Sequence, residues 1–230
     1  MKVKLINYTP EPEKTVASAA YTCYSKECAS MEMPDEKVRK IIRATRSSGH
    51  HSVMEHASFT FAVDGVSRSC THQLVRHRIA SFSQQSQRYV NLSRAGYVIP
   101  KTVEKNAKTK KIFEKIVKDA WDTYNKLVKN SIPDEDARYV LPNAAKTSIV
   151  ITMNARELYH FFSLRCCNRA QWEIRDMANR MLKEVKRVAP VLFEDAGPMC
   201  KQLGYCPETE SCGLMPRKKD VLGVIGKNES

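Results

Sequence analysis

Apolar positions recur along this chain at two different periods. Every second residue is apolar in SFTFAVDG (58–65), where Phe59, Phe61 and Val63 fall on one side, and again in KTSIVITM (146–153). A period of two predicts strands buried on one face. VKLINYT (3–9) reads as a third strand. A period near 3.6 runs through KTKKIFEKIVKDAWDTYNKLVKN, where Ile112, Phe113, Ile116, Val117, Ala120, Trp121, Tyr124, Leu127 and Val128 form one stripe. That stripe predicts the clearest helix, with its lysines mostly off the apolar side. A further long helix carries Ile174, Met177, Ala178, Met181, Leu182, Val185 and Val188, with Pro190 just past its end. EKVRKIIRATRSSG predicts a shorter helix stopped by Gly49. Residues 67–78 predict another, with Cys70, Leu74 and Val75 toward a core and Gln73 and Arg76 on a shared face. Asn154 and Glu157 have the spacing of a capping box opening a helix, and Asn168 with Gln171 is read as a second one.

Strands and helices mix here without a regular βαβ alternation. The expected class is therefore α+β, a mixed α/β single domain with a central sheet and long helices. A length of 230 residues with 42% apolar content suits one domain over 1–198 and a Cys-rich tail over 199–230. No apolar run reaches the roughly 18 residues of a membrane helix, and the first residues lack a signal-peptide core. A cytoplasmic protein with no membrane partner is expected. Eight cysteines in such a chain read as reduced thiols rather than a disulfide framework. In the tail, Cys200, Cys206 and Cys212 are each separated by five residues, a poor match to zinc-knuckle pairs. No metal is assigned, and the tail is expected to pack loosely. The net charge of +13 favours polyanionic partners, nucleic acid or small phosphates and carboxylates alike. The lysines of the long helix read as a solvated face rather than a nucleic-acid surface. The eight glycines make no G-x-G, so there is neither a dinucleotide fingerprint nor a Walker loop. A G-x-S-x-G elbow and a recognisable cysteine-nucleophile motif are also absent.

Three stretches concentrate chemistry. RHRIASFSQQSQRY (76–89) gathers Arg76, His77, Arg78 and Arg88 around serines and glutamines with no acid in the run. Such a donor set suits a phosphate, with arginine preferred for its fork. Equally, it reads as a surface basic cluster satisfied by acids elsewhere in the fold. GHHSVMEHASFTF holds His50, His51, Glu55 and His56, but not as H-E-x-x-H, so hydrogen bonding or ligand stacking is expected rather than metal. NARELYHFFSLRCCNRAQWE places Arg156, His160, Arg165 and Arg169 along one helix and the turn after it. An arginine beside Phe161, Phe162 and Leu164 calls for an anion or a carbonyl.

RHRIASFSQQS fits R-H-R followed by seven residues and Ser, and so resembles the signature of flavin-dependent thymidylate synthases. GHHSVMEHASFTF and ARYVLPNAAKTSIVITMNARELYHFFSLRCCNRAQWEIR resemble further segments of that family, and the likeness covers roughly residues 1–196. The resemblance implies conversion of dUMP to dTMP, with 5,10-methylenetetrahydrofolate as carbon donor, NADPH as reductant and FAD as hydride relay. It also implies a homotetramer with active sites shared between subunits, and no nucleic-acid partner. By position it assigns Gln73, Arg76, Gln84, Gln85, Ser86, Gln87 and Arg88 to dUMP, with Arg138 supplied by a neighbouring subunit. Arg165 is placed at the uracil ring. His50, Ser52, Glu55, Arg76, His77, Arg78, Ile79, Asn154, Arg156 and His160 are placed at the flavin. Arg165, Ser86 and His50 are its catalytic candidates. Position 84 is Gln where some members carry Glu, which puts an acid role there in question. Position 169 is Arg where some carry His.

Two other classes stand beside this reading. A basic nucleic-acid-binding protein would draw on the charge, although the aromatics lie on core stripes instead of interleaving with the lysines. A metal-dependent nucleotide hydrolase would draw on the histidine cluster.

Overall fold

The computed structural model describes residues 1–26, 32–93 and 95–225. Its order is β1 (Lys2–Tyr8), α1 (Pro12–Thr22), α2 (Asp35–Ser47), a 3-10 turn (His51–His56), β2 (Ser58–Ser67), α3 (Arg68–Leu74) and β3 (Ala80–Gln84). Then come α4 (Lys101–Glu104), α5 (Ala107–Lys129), α6 (Asp134–Ala137), a 3-10 turn (Arg138–Val140), β4 (Lys146–Asn154), α7 (Ala155–Arg165), α8 (Trp172–Val188), α9 (Met199–Leu203) and α10 (Lys218–Ile225). One four-stranded sheet runs β1-β2-β4-β3. The chain is mixed α/β, as its pattern predicts.

The described residues divide into two compact units. The first comprises 1–2, 62–76 and 82–150; the second comprises 3–61, 77–81 and the chain from 151 onward. In the first, α5 is opened by Asn106, whose side chain accepts from the amides of Lys108 and Thr109. Its Val117, Trp121 and Tyr124 are buried, and the Tyr124 hydroxyl and Trp121 indole bond the backbone of Leu92 at 3.2 and 2.9 Å. Ile112 and Ile116, placed on the core stripe by the periodicity, are instead 59% and 62% exposed. α3 ends at Leu74, four residues before the predicted end, so Arg76 sits in the turn that follows it. Ser67 caps this helix by accepting from the Cys70 amide.

In the second unit, Phe59 and Phe61 of β2 and Ile151 and Met153 of β4 are buried by the predicted alternation. Phe193 meets Phe59 edge-on at 5.3 Å and Phe162 at 6.2 Å. α8 buries Ile174, Met177, Ala178, Met181 and Val185. Its cap is Gln171 alone, whose side-chain oxygen accepts from Glu173 and Ile174; the predicted box with Asn168 does not form. At α7, Asn154 accepts from the Glu157 amide at 2.9 Å, as expected of a cap. The Glu157 side chain, however, does not turn back to the cap: it points inward. The tail is partly built in, since Cys200 and Cys206 are buried and Arg169 bonds Glu210.

Candidate active site

Each unit carries one group of the predicted residues. In the first, Gln73 is half-buried on α3 and Arg76 is exposed. The stretch after them is a strand where a loop was expected: β3 (Ala80–Gln84) is an edge strand ending at Gln84, and the Gln85 amide bonds the Ser148 carbonyl at 2.9 Å. Gln84 Nε2 donates to Thr71 Oγ1 at 2.9 Å and Thr147 Oγ1 at 3.4 Å, two buried threonines. Thr71 Oγ1 already donates to the Arg68 carbonyl, so it needs a donor from position 84. An amide supplies one, whereas an ionised carboxylate accepts only. In this chain Gln84 is therefore an anchor of β3, and no acid role fits it. Ser86 Oγ accepts from the Arg88 amide at 3.1 Å, which folds the chain around the serine.

Sequence patterning left open whether this basic run is neutralised from elsewhere. Arg88 Nε lies 2.7 Å from Glu135 Oε2, and Arg138 donates to the Glu135 carbonyl at 2.9 Å. Both side chains of the Arg88 pair are about half exposed. An ion pair in that setting is worth little, so an arriving anion displaces it easily. Arg68, unassigned by the sequence, is held below the usual arginine range by burial and by the charge of Arg138. Two guanidiniums that feel each other raise the local demand for an anion.

The second unit holds His77, Glu157, His160 and Arg165. His77 is buried: Phe161 packs against its ring at 5.0 Å and His160 at 5.7 Å. His77 Nδ1 lies 3.0 Å from Glu157 Oε1, and Arg165 Nε donates to His77 Nε2 at 3.1 Å. A guanidinium has no acceptor, so Nε2 must offer its lone pair and the proton belongs on Nδ1, facing Glu157. Burial lowers the His77 pKa first; Glu157 opposes that and the Arg165 charge adds to it, leaving the ring below the usual histidine range. His77 is thus a neutral orienting group for Arg165. Ligand atoms of His77, Glu157 and His160 lie within 4.8 Å of one another, but both ring nitrogens of His77 are committed to side chains.

Apart from Asn154, the remaining predicted residues of this unit face solvent. His50 Nδ1 is 2.7 Å from the Tyr24 hydroxyl and the two rings stack at 6.2 Å. Arg156 Nη1 bonds Glu55 Oε1 at 2.5 Å. Ser52, Arg78 and His160 are exposed, Asn154 is half-buried as the α7 cap, and Ile79 leaves 69% of its surface open. Glu157, Glu135 and Tyr24 were missed by sequence reasoning. Glu157 is visible in the sequence only as the acid closing a capping box, and a cap role hides an inward side chain.

The family model of the thymidylate synthase complementing protein matches residues 4–191. A flavin-dependent thymidylate synthase of Geobacter sulfurreducens is 52% identical, with 96% of this chain and 98% of that one aligned. That of Clostridium tetani is 50% identical, covering 96% of both chains, and that of Pyrococcus horikoshii 47%, covering 94% and 92%. The chain belongs to this family. Its match spans all three stretches singled out above, and it ends before the C-terminal tail. Among the described residues, no helix is long and apolar enough to cross a membrane.

Proposed function

We propose that this chain is a flavin-dependent thymidylate synthase that converts dUMP to dTMP, with methylenetetrahydrofolate giving the carbon and NADPH the reducing equivalents, in the cytoplasm. The observation that carries the reading is the near full-length relationship to enzymes of that name. The chain's own donor sets fit the groups involved. In the first unit Arg76 and Arg88, with Gln73, Gln85, Ser86 and Gln87, offer the forks, hydroxyl and amides that a nucleotide monophosphate needs, and Arg138 of a neighbouring copy completes the set. Gln84 contributes by holding β3 in place. In the second unit Arg78 and Arg156 supply cations for a pyrophosphate, His50, Ser52 and His160 supply donors, and the exposed Ile79 supplies an apolar face for a ring. Those residues, with Glu55 and Asn154, would hold FAD, which when bound accepts hydride from NADPH and passes it on.

Arg165 has the catalytic role in this reading. Its guanidinium, oriented by neutral His77 and through it by Glu157, stabilises negative charge developing on the uracil carbonyl. A fixed fork does this better than a mobile one because no reorganisation is needed as charge forms. Ser86 acts through its hydroxyl at the phosphate. The assembly is a homotetramer in which Arg138 serves a neighbour's site. Ile112 and Ile116 on α5, with Tyr89 and Tyr139 at 80% and 81% exposure, are apolar surface that a second copy would cover. The test is dTMP formation from dUMP, methylenetetrahydrofolate and NADPH, with omission of each in turn. Turnover without reductant, or stimulated by divalent metal, would overturn the reading.

A further inference from the structure

The reaction leaves the C-terminal cysteines unused. Four of them converge. Cys167 follows the end of α7, Cys200 sits on α9, and Cys206 and Cys212 lie in the segment between α9 and α10. All four line one small pocket with an interior of about 40 Å³. Cys206 is fixed by a bridge to Arg217, its amide donating to the Pro216 carbonyl at 2.7 Å. Cys212 Sγ takes a weak bond from Asn168 Nδ2 at 3.7 Å. Cys166, the C-cap residue of α7, also borders the pocket. The two spacers of five residues looked irregular for metal binding in sequence. They become intelligible once Cys167, distant in the chain, supplies a fourth ligand.

We propose that Cys167, Cys200, Cys206 and Cys212 form a four-thiolate site for a soft metal centre, zinc or an iron–sulfur cluster. Four cysteines are the ligand set of both zinc and such clusters, and soft thiolates select these over magnesium or calcium. The two differ in size: tetrahedral zinc with bonds of about 2.3 Å sets its sulfurs roughly 3.8 Å apart, and a cluster, several atoms across, keeps its thiolates farther apart. Arg169, also on the pocket wall, is paired with Glu208 and Glu210.

The full-length protein, purified without oxygen from iron-supplemented cells, tests this. Iron, zinc and acid-labile sulfide are measured per chain, and electron paramagnetic resonance is recorded after dithionite reduction, because flavin absorbance masks the cluster bands. A bound metal is expected, as iron with equal sulfide for a cluster or as zinc alone for a single ion. Cys200→Ser and Cys212→Ser should each lower it by roughly tenfold or more, while Cys23→Ser, outside the pocket, leaves it unchanged. Cys212 is exposed, so its replacement spares the fold; flavin content and melting temperature check that. Metal that survives both replacements would overturn the ligand assignment. Absence of any metal above the Cys200→Ser level, with the four thiols alkylatable in the wild type, would overturn the site itself.

Discussion

Glu157→Gln and Glu157→Leu together test whether the buried array behind Arg165 is built as described. The His77 ring is 4% exposed and the Glu157 carboxylate 7%, with 3.0 Å between Nδ1 and Oε1. Gln keeps an oxygen that accepts from the Nδ1 proton, so the loss is the difference between a charged and a neutral acceptor, about 1 kcal/mol. Leu leaves the Nδ1–H buried without a partner and should cost about 1–3 kcal/mol more. Guanidinium denaturation at pH 8 and fixed protein concentration measures both, provided the slopes agree. The pH dependence adds a second reading. Because the folded His77 pKa lies below its unfolded value of ~6.5, the unfolded chain takes up the proton first. This histidine's contribution is therefore complete above that value and is lost as pH falls toward the folded pKa. Removing the carboxylate removes what raises the folded pKa, so Glu157→Gln should lose more stability by pH 5 than the wild type does. The reasoning fails if Leu costs no more than Gln at pH 8, or if the Gln variant is the less acid-sensitive protein.

Three further outcomes are expected. Arg88→Ala should weaken dUMP on the order of tenfold or more while barely changing deoxyuridine, read by calorimetric titration; equal losses for both would remove Arg88 from the phosphate. Arg165→Lys keeps the charge and loses the fork, so oxidation of the reduced flavin by dUMP and methylenetetrahydrofolate should slow by roughly 10²-fold, with reduction by NADPH much less affected in stopped flow; equal slowing would make Arg165 a structural group. Inactive Arg88→Ala and inactive Arg138→Ala proteins, mixed under subunit exchange, should regain a fraction of wild-type activity. No recovery despite exchange seen by mass spectrometry would count against shared sites.

How much of this was legible in the chain depends on what each pattern encodes. The alternation of β2 and β4 gave the buried faces directly, because a strand with one wet side has no other way to read. The α5 stripe gave Val117, Trp121 and Tyr124 correctly but put Ile112 and Ile116 inside. Periodicity identifies an apolar side, not the width of what covers it. α1 was not seen, since it buries Val16, Ala17 and Ala20, small residues that leave a faint pattern. β3 reads as a loop in the sequence because ASFSQ has one large apolar residue, as suits a strand at a sheet edge. Gln171 caps α8 alone, a role the Asn168 spacing concealed. The signature segment is legible by resemblance and its arginines by their crowding, whereas the acids paired with Arg88 and His77 are not. Glu135 and Glu157 lie 47 and 80 residues from the groups they hold, and no local rule reaches that far.

One spectrum tests most directly whether this chain uses flavin to make dTMP. Purified protein, supplied with FAD and kept without oxygen, should be yellow and should bleach on addition of NADPH. Adding dUMP with methylenetetrahydrofolate should restore the colour and yield dTMP in proportion to the flavin reoxidised. A protein that takes up no flavin, or one whose reduced flavin stays bleached with both substrates present, would contradict the account.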